Sequence, residues 1–235
     1  MNELTIGISQ SNYIPWLGYF ELISRCDIFV FLESVQYTKN DWRNRNIIRI
    51  NNQPHWLTVP VRTNNSLNLK LNEVYIADQL WSSKHLAKIE NLYPPNKSDL
   101  EWGKILREIY TNELCELSLL SEINISILIK ILRILDIKTK IEVYDEVDLL
   151  DKEARVLQIC KSYNAHKYVT TEKGLSYLRR EVFLQNEIEL EAVNFSLSKK
   201  FLSTENSESS INFSIIDSLA KYGPTKLMEL FKVAI

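Results

Sequence analysis

The sequence predicts an α/β fold, Rossmann-like, with a mostly parallel sheet and an inserted helical region. Two stretches carry that expectation. Residues 4–32 read as strand, loop, helix, strand within about 30 residues, the size of one βαβ unit. The last third of the chain alternates strands and helices again, the pattern of a parallel sheet covered by helices. A chain of 235 residues with 45% hydrophobic and 25% charged side chains has the composition of a globular protein able to bury a sizeable core. It is read as a single α/β domain over 1–235, with the helical insertion at about 80–138.

The elements follow from local pattern. Leu4–Ser9 is a short apolar run of the kind a buried strand makes. Gln10–Gly18 is a loop punctuated by Pro15 and Gly18, and Tyr19–Arg25 a short helix. Asp27–Leu32 is rich in β-branched and aromatic residues and reads as the second strand. Ile47–Ile50 and Trp56–Val61 form a hairpin around Asn51–Pro54, and Leu69–Ile76 a further strand. Helices follow over Trp81–Leu92, over Asp99–Asn112 with Asp99 as N-cap, and over Leu117–Ile137, whose apolar positions keep a helical period. Strands at Ile141–Tyr144, Lys167–Thr171 and Glu189–Phe195 alternate with helices at Lys152–Asn164, Gly174–Phe183 and Ile215–Tyr222. Residues 203–212 are a polar loop.

Composition excludes several functions. The net charge of −2 lacks the basic surplus of a dedicated nucleic-acid binder. Five scattered glycines, where roughly 7% of residues is usual, leave no G-x-G-x-x-G, no phosphate loop and no G-x-S-x-G elbow. Cys26, Cys115 and Cys160 lie far apart, so no zinc site or disulfide framework is expected, and three scattered histidines give no metal motif. The N-terminus does not read as a signal peptide and no run is long enough for a membrane span. A cytoplasmic protein is the expectation.

Chemistry is expected at two loops that follow strands, where open α/β sheets bind ligands. Gln10–Phe20 offers the donors and acceptors of Gln10 and Asn12 and the rings of Tyr13 and Trp16, which suit stacking on a base or sugar and equally suit core packing. Gln36–Asn46 offers Gln36, Lys39, Arg43, Asn44, Arg45 and Asn46, with Arg45 as the expected anion contact because guanidinium forks match phosphate oxygens; a solvated loop with capping asparagines is the competing reading. His85, one turn beyond Trp81, is the acid–base candidate; a buried structural histidine is the competing reading. Asp217 opens the last helix and serves either to cap it or to orient a site residue.

Taken together, Q-S-N-Y-I-P-W-L-G-Y-F at 10–20, C-D-I-F-V-F-L-E-S-V-Q-Y at 26–37, N-R-N at 44–46, W-L-T-V-P-V at 56–61, Trp81, His85, S-I-I-D-S-L at 214–219 and Gly223 resemble the WbqC-like protein family. The resemblance covers nearly the whole chain. It implies a role in making bacterial surface-polysaccharide (O-antigen) precursors. The reaction it suggests is transfer of an acyl or aminoacyl group to a nucleotide-linked amino sugar, with a nucleotide-linked sugar and an acyl-donor carrier as partners. The matched polar positions are Gln10, Tyr13, Gln36, Asn44, Arg45, Asn46, His85 and Asp217. Two departures stand out: the family usually has histidine where this chain has Ser9 and proline where it has Ser11. Ser9 or His85 would then be the catalytic base. The alternatives are a nucleotidylyltransferase-like or adenylate-forming enzyme, although the H-x-G-H of such enzymes is absent, and a non-catalytic sugar-binding subunit of an assembly complex.

Overall fold

The computed structural model describes residues 3–51, 53–63, 68–94, 100–111, 113–146, 151–203 and 212–232. The chain opens with β1 (Thr5–Ser9), α1 (Leu17–Ser24) and β2 (Ile28–Leu32). A hairpin follows, β3 (Arg45–Ile50) and β4 (Gln53–Thr58), then a small antiparallel pair, β5 (Val61–Arg62) and β6 (Tyr75–Ile76). The helices α2 (Trp81–Leu92), α3 (Leu100–Ile109), α4 (Glu113–Glu116) and α5 (Leu120–Ile134) come next. The alternating part runs β7 (Lys140–Tyr144), α6 (Lys152–Ser162), β8 (Lys167–Thr170), α7 (Glu172–Leu175), α8 (Arg180–Leu184) and β9 (Glu189–Ala192). It ends with α9 (Ser196–Ser203) and α10 (Ile215–Lys232).

The central sheet has five strands in the order β7-β2-β1-β8-β9, all parallel. Side chains alternate across it, as the period of two in a strand requires. Ile6, Ile8, Val30 and Tyr168 face one way, onto Val156, Ile159 and Cys160 of α6 and Phe183 of α8. Phe29 and Phe31 face the other, onto Phe20 and Ile23 of α1. That second cluster continues through Ile127 and Leu128 of α5 to Trp81 and Trp102, so the helical region and the sheet share one core. Among the described residues no helix is long and apolar enough to cross a membrane.

Several expectations change, among them the second hairpin strand, which runs Gln53–Thr58 with Pro54 inside it while Val61 opens β5. Leu69–Ile76 is not one strand: Leu71–Glu73 is a 3-10 turn, closed by Glu73 accepting the Lys70 N–H, and only Tyr75–Ile76 is extended. The buried residues there are Leu71, Val74 and Ile76; the three-residue step from Leu71 to Val74 suits a turn, and only Val74–Ile76 keeps the alternation of a pleat. The helix expected from Leu117 starts at Leu120 because Leu119 is drawn into a bridge with Tyr75. Gly174–Phe183 is two short helices. Thr171 Oγ1 accepts the Gly174 N–H and starts the first at Glu172, while Glu153 takes the Arg179 N–H and guanidinium and holds Arg179 extended between them. The last helix continues past Tyr222 to Lys232 with a break at Gly223, whose φ of 73° is open to glycine, and Pro224 restarts the helix. The expected N-cap Asp99 and most of the polar loop at 203–212 lie outside the described residues.

Gly7, in the central strand, has no room for a side chain. A Cβ there would lie 2.6 Å from Phe29 Cδ2 and 2.7 Å from Cys26 Sγ. Gly7→Ala is expected to destabilise the protein by about 1–3 kcal/mol through overpacking. Urea denaturation measures this, and an unchanged midpoint would contradict the packing described.

Candidate functional site

In sequence order the five strands stand 3-2-1-4-5, so the chain leaves β1 in one direction and returns to β8 on its other side. Open parallel sheets bind ligands at this switch point, outside the carboxyl ends of the strands. A cleft of about 590 Å³ lies there. Its walls include Ser9 at the end of β1 and Gln10 after it, Leu32 at the end of β2 with Val35 and Gln36 beyond it, and Thr170 and Thr171 at the end of β8. Lys152 and Arg155 of α6 and Lys173, Gly174, Tyr177 and Leu178 complete them.

The cleft is cationic. Lys152, Arg155 and Lys173 line it, and among the described residues no acidic side chain does. Lys152 lies 3.8 Å above the Tyr177 ring, and burial, with the neighbouring charge of Lys173, holds its amine below the usual lysine range. Such a wall of basic groups, hydroxyls and amides suits a ligand with several anionic oxygens. Among the described residues no group of three His, Cys, Asp or Glu side chains could hold a metal ion.

The expected site residues divide between this cleft and its supporting frame. Ser9, Gln10 and Gln36 line the cleft. Tyr13, Asn44, Arg45, Asn46, His85 and Asp217 do not, and neither do Asn12 and Trp16. Tyr13 is fully buried, its hydroxyl 2.7 Å from both His85 Nδ1 and the Tyr110 hydroxyl. His85 Nε2 lies 3.1 Å from the Thr58 carbonyl. A carbonyl only accepts, so Nε2 carries the proton and Nδ1 accepts from Tyr13. Burial pushes the His85 pKa down to about 4, which keeps the ring neutral near pH 7. Asn44 donates to the Val59 carbonyl, and Asn46 donates to the Tyr13 carbonyl. Arg45 stacks 4.1 Å above the half-exposed Trp56. Trp16 packs on Phe195. Asp217 accepts from the Tyr93 hydroxyl and pairs with Arg49. Among the described residues three side-chain atoms of the expected site have no hydrogen-bond partner: Asn12 Oδ1, Asn44 Oδ1 and Arg45 Nε.

Sequence reasoning passed over the three cations. Their one local signal was the three-residue spacing of Lys152 and Arg155, which places both on one face of α6. It also passed over Glu33, the residue following β2. Glu33 is 1% exposed; its Oε1 accepts the Ser11 N–H at 2.7 Å and its Oε2 the Ser11 hydroxyl at 2.8 Å. Burial raises its pKa to about 7, and the Ser11 hydrogen bonds and Arg43 only partly oppose this.

That shift has a stability signature. A carboxyl raised from 4.5 to about 7 favours the folded state while protonated. The contribution is full below about pH 4.5 and is lost as pH rises through 7. Relative to Glu33→Gln, the protein should lose about 3 kcal/mol of stability between pH 4.5 and pH 8. Denaturation curves across that range measure it, and parallel pH dependences for the two proteins would contradict the assignment.

Comparison with known proteins agrees with the reading of the motifs. The model of the WbqC-like protein family matches residues 10–229. An uncharacterized protein of Mycobacterium tuberculosis (strain ATCC 25618 / H37Rv), Rv1507c, is 35% identical over 179 residues, covering 76% of this chain and 77% of the relative. No solved structure matches the chain. The sheet with its switch-point cleft is therefore that of a member of the WbqC-like protein family.

Proposed function

We propose that the protein binds a nucleotide-linked amino sugar in the cationic cleft and transfers an acyl or aminoacyl group to the sugar's amine, as a cytoplasmic step in making a surface-polysaccharide precursor. The observation that supports this most is the convergence of three basic side chains, with no acid among the described lining residues, at the switch point of a parallel sheet. A diphosphate is the ligand group that such a wall matches, and the cleft volume of about 590 Å³ falls in the range of small-ligand sites. In this reading Lys152, Arg155 and Lys173 hold the diphosphate. Thr170, Thr171, Ser9, Gln10 and Gln36 take hydroxyl and amide groups of the nucleotide and sugar. Tyr13, Asn44, Asn46, His85 and Asp217 act by holding the loops that carry those residues, and Arg45 stays outside the diphosphate site.

Acyl transfer to an amine makes modest demands on the protein. The amine must lose a proton, and the carbonyl oxygen must be stabilised as it gains charge. A donor that is already a thioester or ester, supplied on a carrier, needs no covalent nucleophile in the chain.

Incubation with a nucleotide-linked amino sugar and a panel of acyl and aminoacyl thioesters should yield a sugar heavier by the acyl group. Lys152→Ala and Lys173→Ala should each weaken nucleoside diphosphate binding by about 10-fold or more, the loss of one charge-assisted contact. Product mass and titration calorimetry measure these outcomes. Tight binding without any product would favour the sugar-binding subunit. Nucleotidyl transfer from a nucleoside triphosphate would favour the nucleotidylyltransferase-like enzyme. Unchanged diphosphate affinity in both variants would contradict the cationic cleft as the ligand site.

A further inference from the structure

A second cleft opens beside the first. It has a volume of about 830 Å³ and lies between α5 and the carboxyl ends of β2 and β7. The segment leaving β2 borders both: Leu32, Val35 and Gln36 line the cationic cleft, and Glu33 lines the second. The two differ in charge. Among the described residues the first has no acid, whereas the second includes Glu33, Glu122 and Asp145 together with Lys130 and Arg133.

Glu33 is the unusual member. It is 1% exposed, and among the described residues no basic side chain forms an ion pair with it. Ser11 supplies one donor to each of its oxygens. A carboxylate has about four acceptor positions, so each oxygen keeps one to spare. Asn72 borders the same cleft, and its Oδ1 is buried without a donor. Glu33 and Asn72 thus both keep unused acceptor capacity beside this cleft. A buried, unpaired carboxyl at the carboxyl end of a strand is costly to keep, and a cationic N–H group is the chemistry that would relieve the cost.

We propose that Glu33 receives the amino group of the acceptor sugar and takes its proton during transfer. The inference rests on the reading that the sugar's diphosphate occupies the cationic cleft, since the sugar then needs only to cross the segment 33–36. In the step itself the amine lone pair attacks the acyl carbon of a thioester donor and a C–N bond forms. The C–S bond breaks with its electron pair left on sulfur. The amine proton passes to the Glu33 carboxylate and from there to the thiolate, giving an amide and a free thiol. A carboxyl that titrates near neutrality suits a group that must accept a proton and release it again. The charged and titratable groups facing it are Tyr19 of α1, Arg43 ahead of β3, Glu122, Lys130 and Arg133 of α5, and Asp145 beyond β7.

Titration calorimetry on the intact protein tests this. The probes are uridine and thymidine diphosphate, and the same nucleotides linked to hexoses with an amine at C2, C3 or C4, each beside its hydroxyl counterpart. At pH 8 at least one amino sugar should bind the wild type about 10-fold tighter than its hydroxyl counterpart. Glu33→Gln, of the same shape and still able to bond Ser11, should lose that preference and keep its diphosphate affinity. The wild-type preference should also shrink as pH falls below 7. A preference equal in the two proteins, or absent from every pair in a wild type that binds the diphosphates, would overturn the role of Glu33. Failure of the wild type to bind either diphosphate would overturn the cationic-cleft reading, and this inference with it.

Discussion

The loop leaving β1 is tied down at nearly every residue, and the layout of the site depends on it. The Tyr19 hydroxyl donates to the Gln10 carbonyl. Ser11 gives its N–H and hydroxyl to Glu33, and its hydroxyl oxygen faces Asn124. The Tyr13 N–H donates to the Trp42 carbonyl, its carbonyl accepts from Asn46, and its hydroxyl meets His85 and Tyr110. These partners come from α1, the residue after β2, α5, the segment before β3, β3 itself, α2 and the residue after α3. A loop held from so many directions in a buried setting has little freedom, because each unmade bond would leave a buried polar group unsatisfied. Its first residue, Gln10, is thereby presented to the cleft beside Ser9 at the end of β1.

Ser11 is central to this arrangement. A proline at this position would have no N–H to give. In this chain the position instead supplies two donors to one buried acid. Asn124 extends the network, because its amide also donates to the Arg43 carbonyl at 2.8 Å. The helical region is thus joined to the sheet through polar contacts as well as through the shared apolar core.

Much of the architecture was legible because it is local. β1 and β2 are short apolar runs bounded by turns, and Trp81–Leu92 has the same limits in sequence and structure. What escaped the sequence depends on distant partners. α9 begins where the buried Glu21 of α1 accepts from the Leu197 and Ser198 amides and the Ser198 hydroxyl. No residue near 196 announces a cap supplied from α1. The break between α7 and α8 likewise depends on Glu153, a residue of α6. The site follows the same rule. Gln10 and Gln36 were legible as polar residues just after strands, whereas Lys152, Arg155 and Lys173 converge only because the chain returns to the far side of β1. The histidine and asparagines that stood out in the motifs proved to be buried bond-formers, a role that sequence cannot separate from ligand contact.

A crystal structure of the protein with a bound nucleotide-linked amino sugar is the most direct measurement of the central claim. The account predicts phosphate oxygens within hydrogen-bond distance of Lys152, Arg155 and Lys173, with the sugar crossing the segment 33–36 toward Glu33. A diphosphate bound at Arg45 and Trp56, or anywhere away from the β1–β8 switch point, would contradict it.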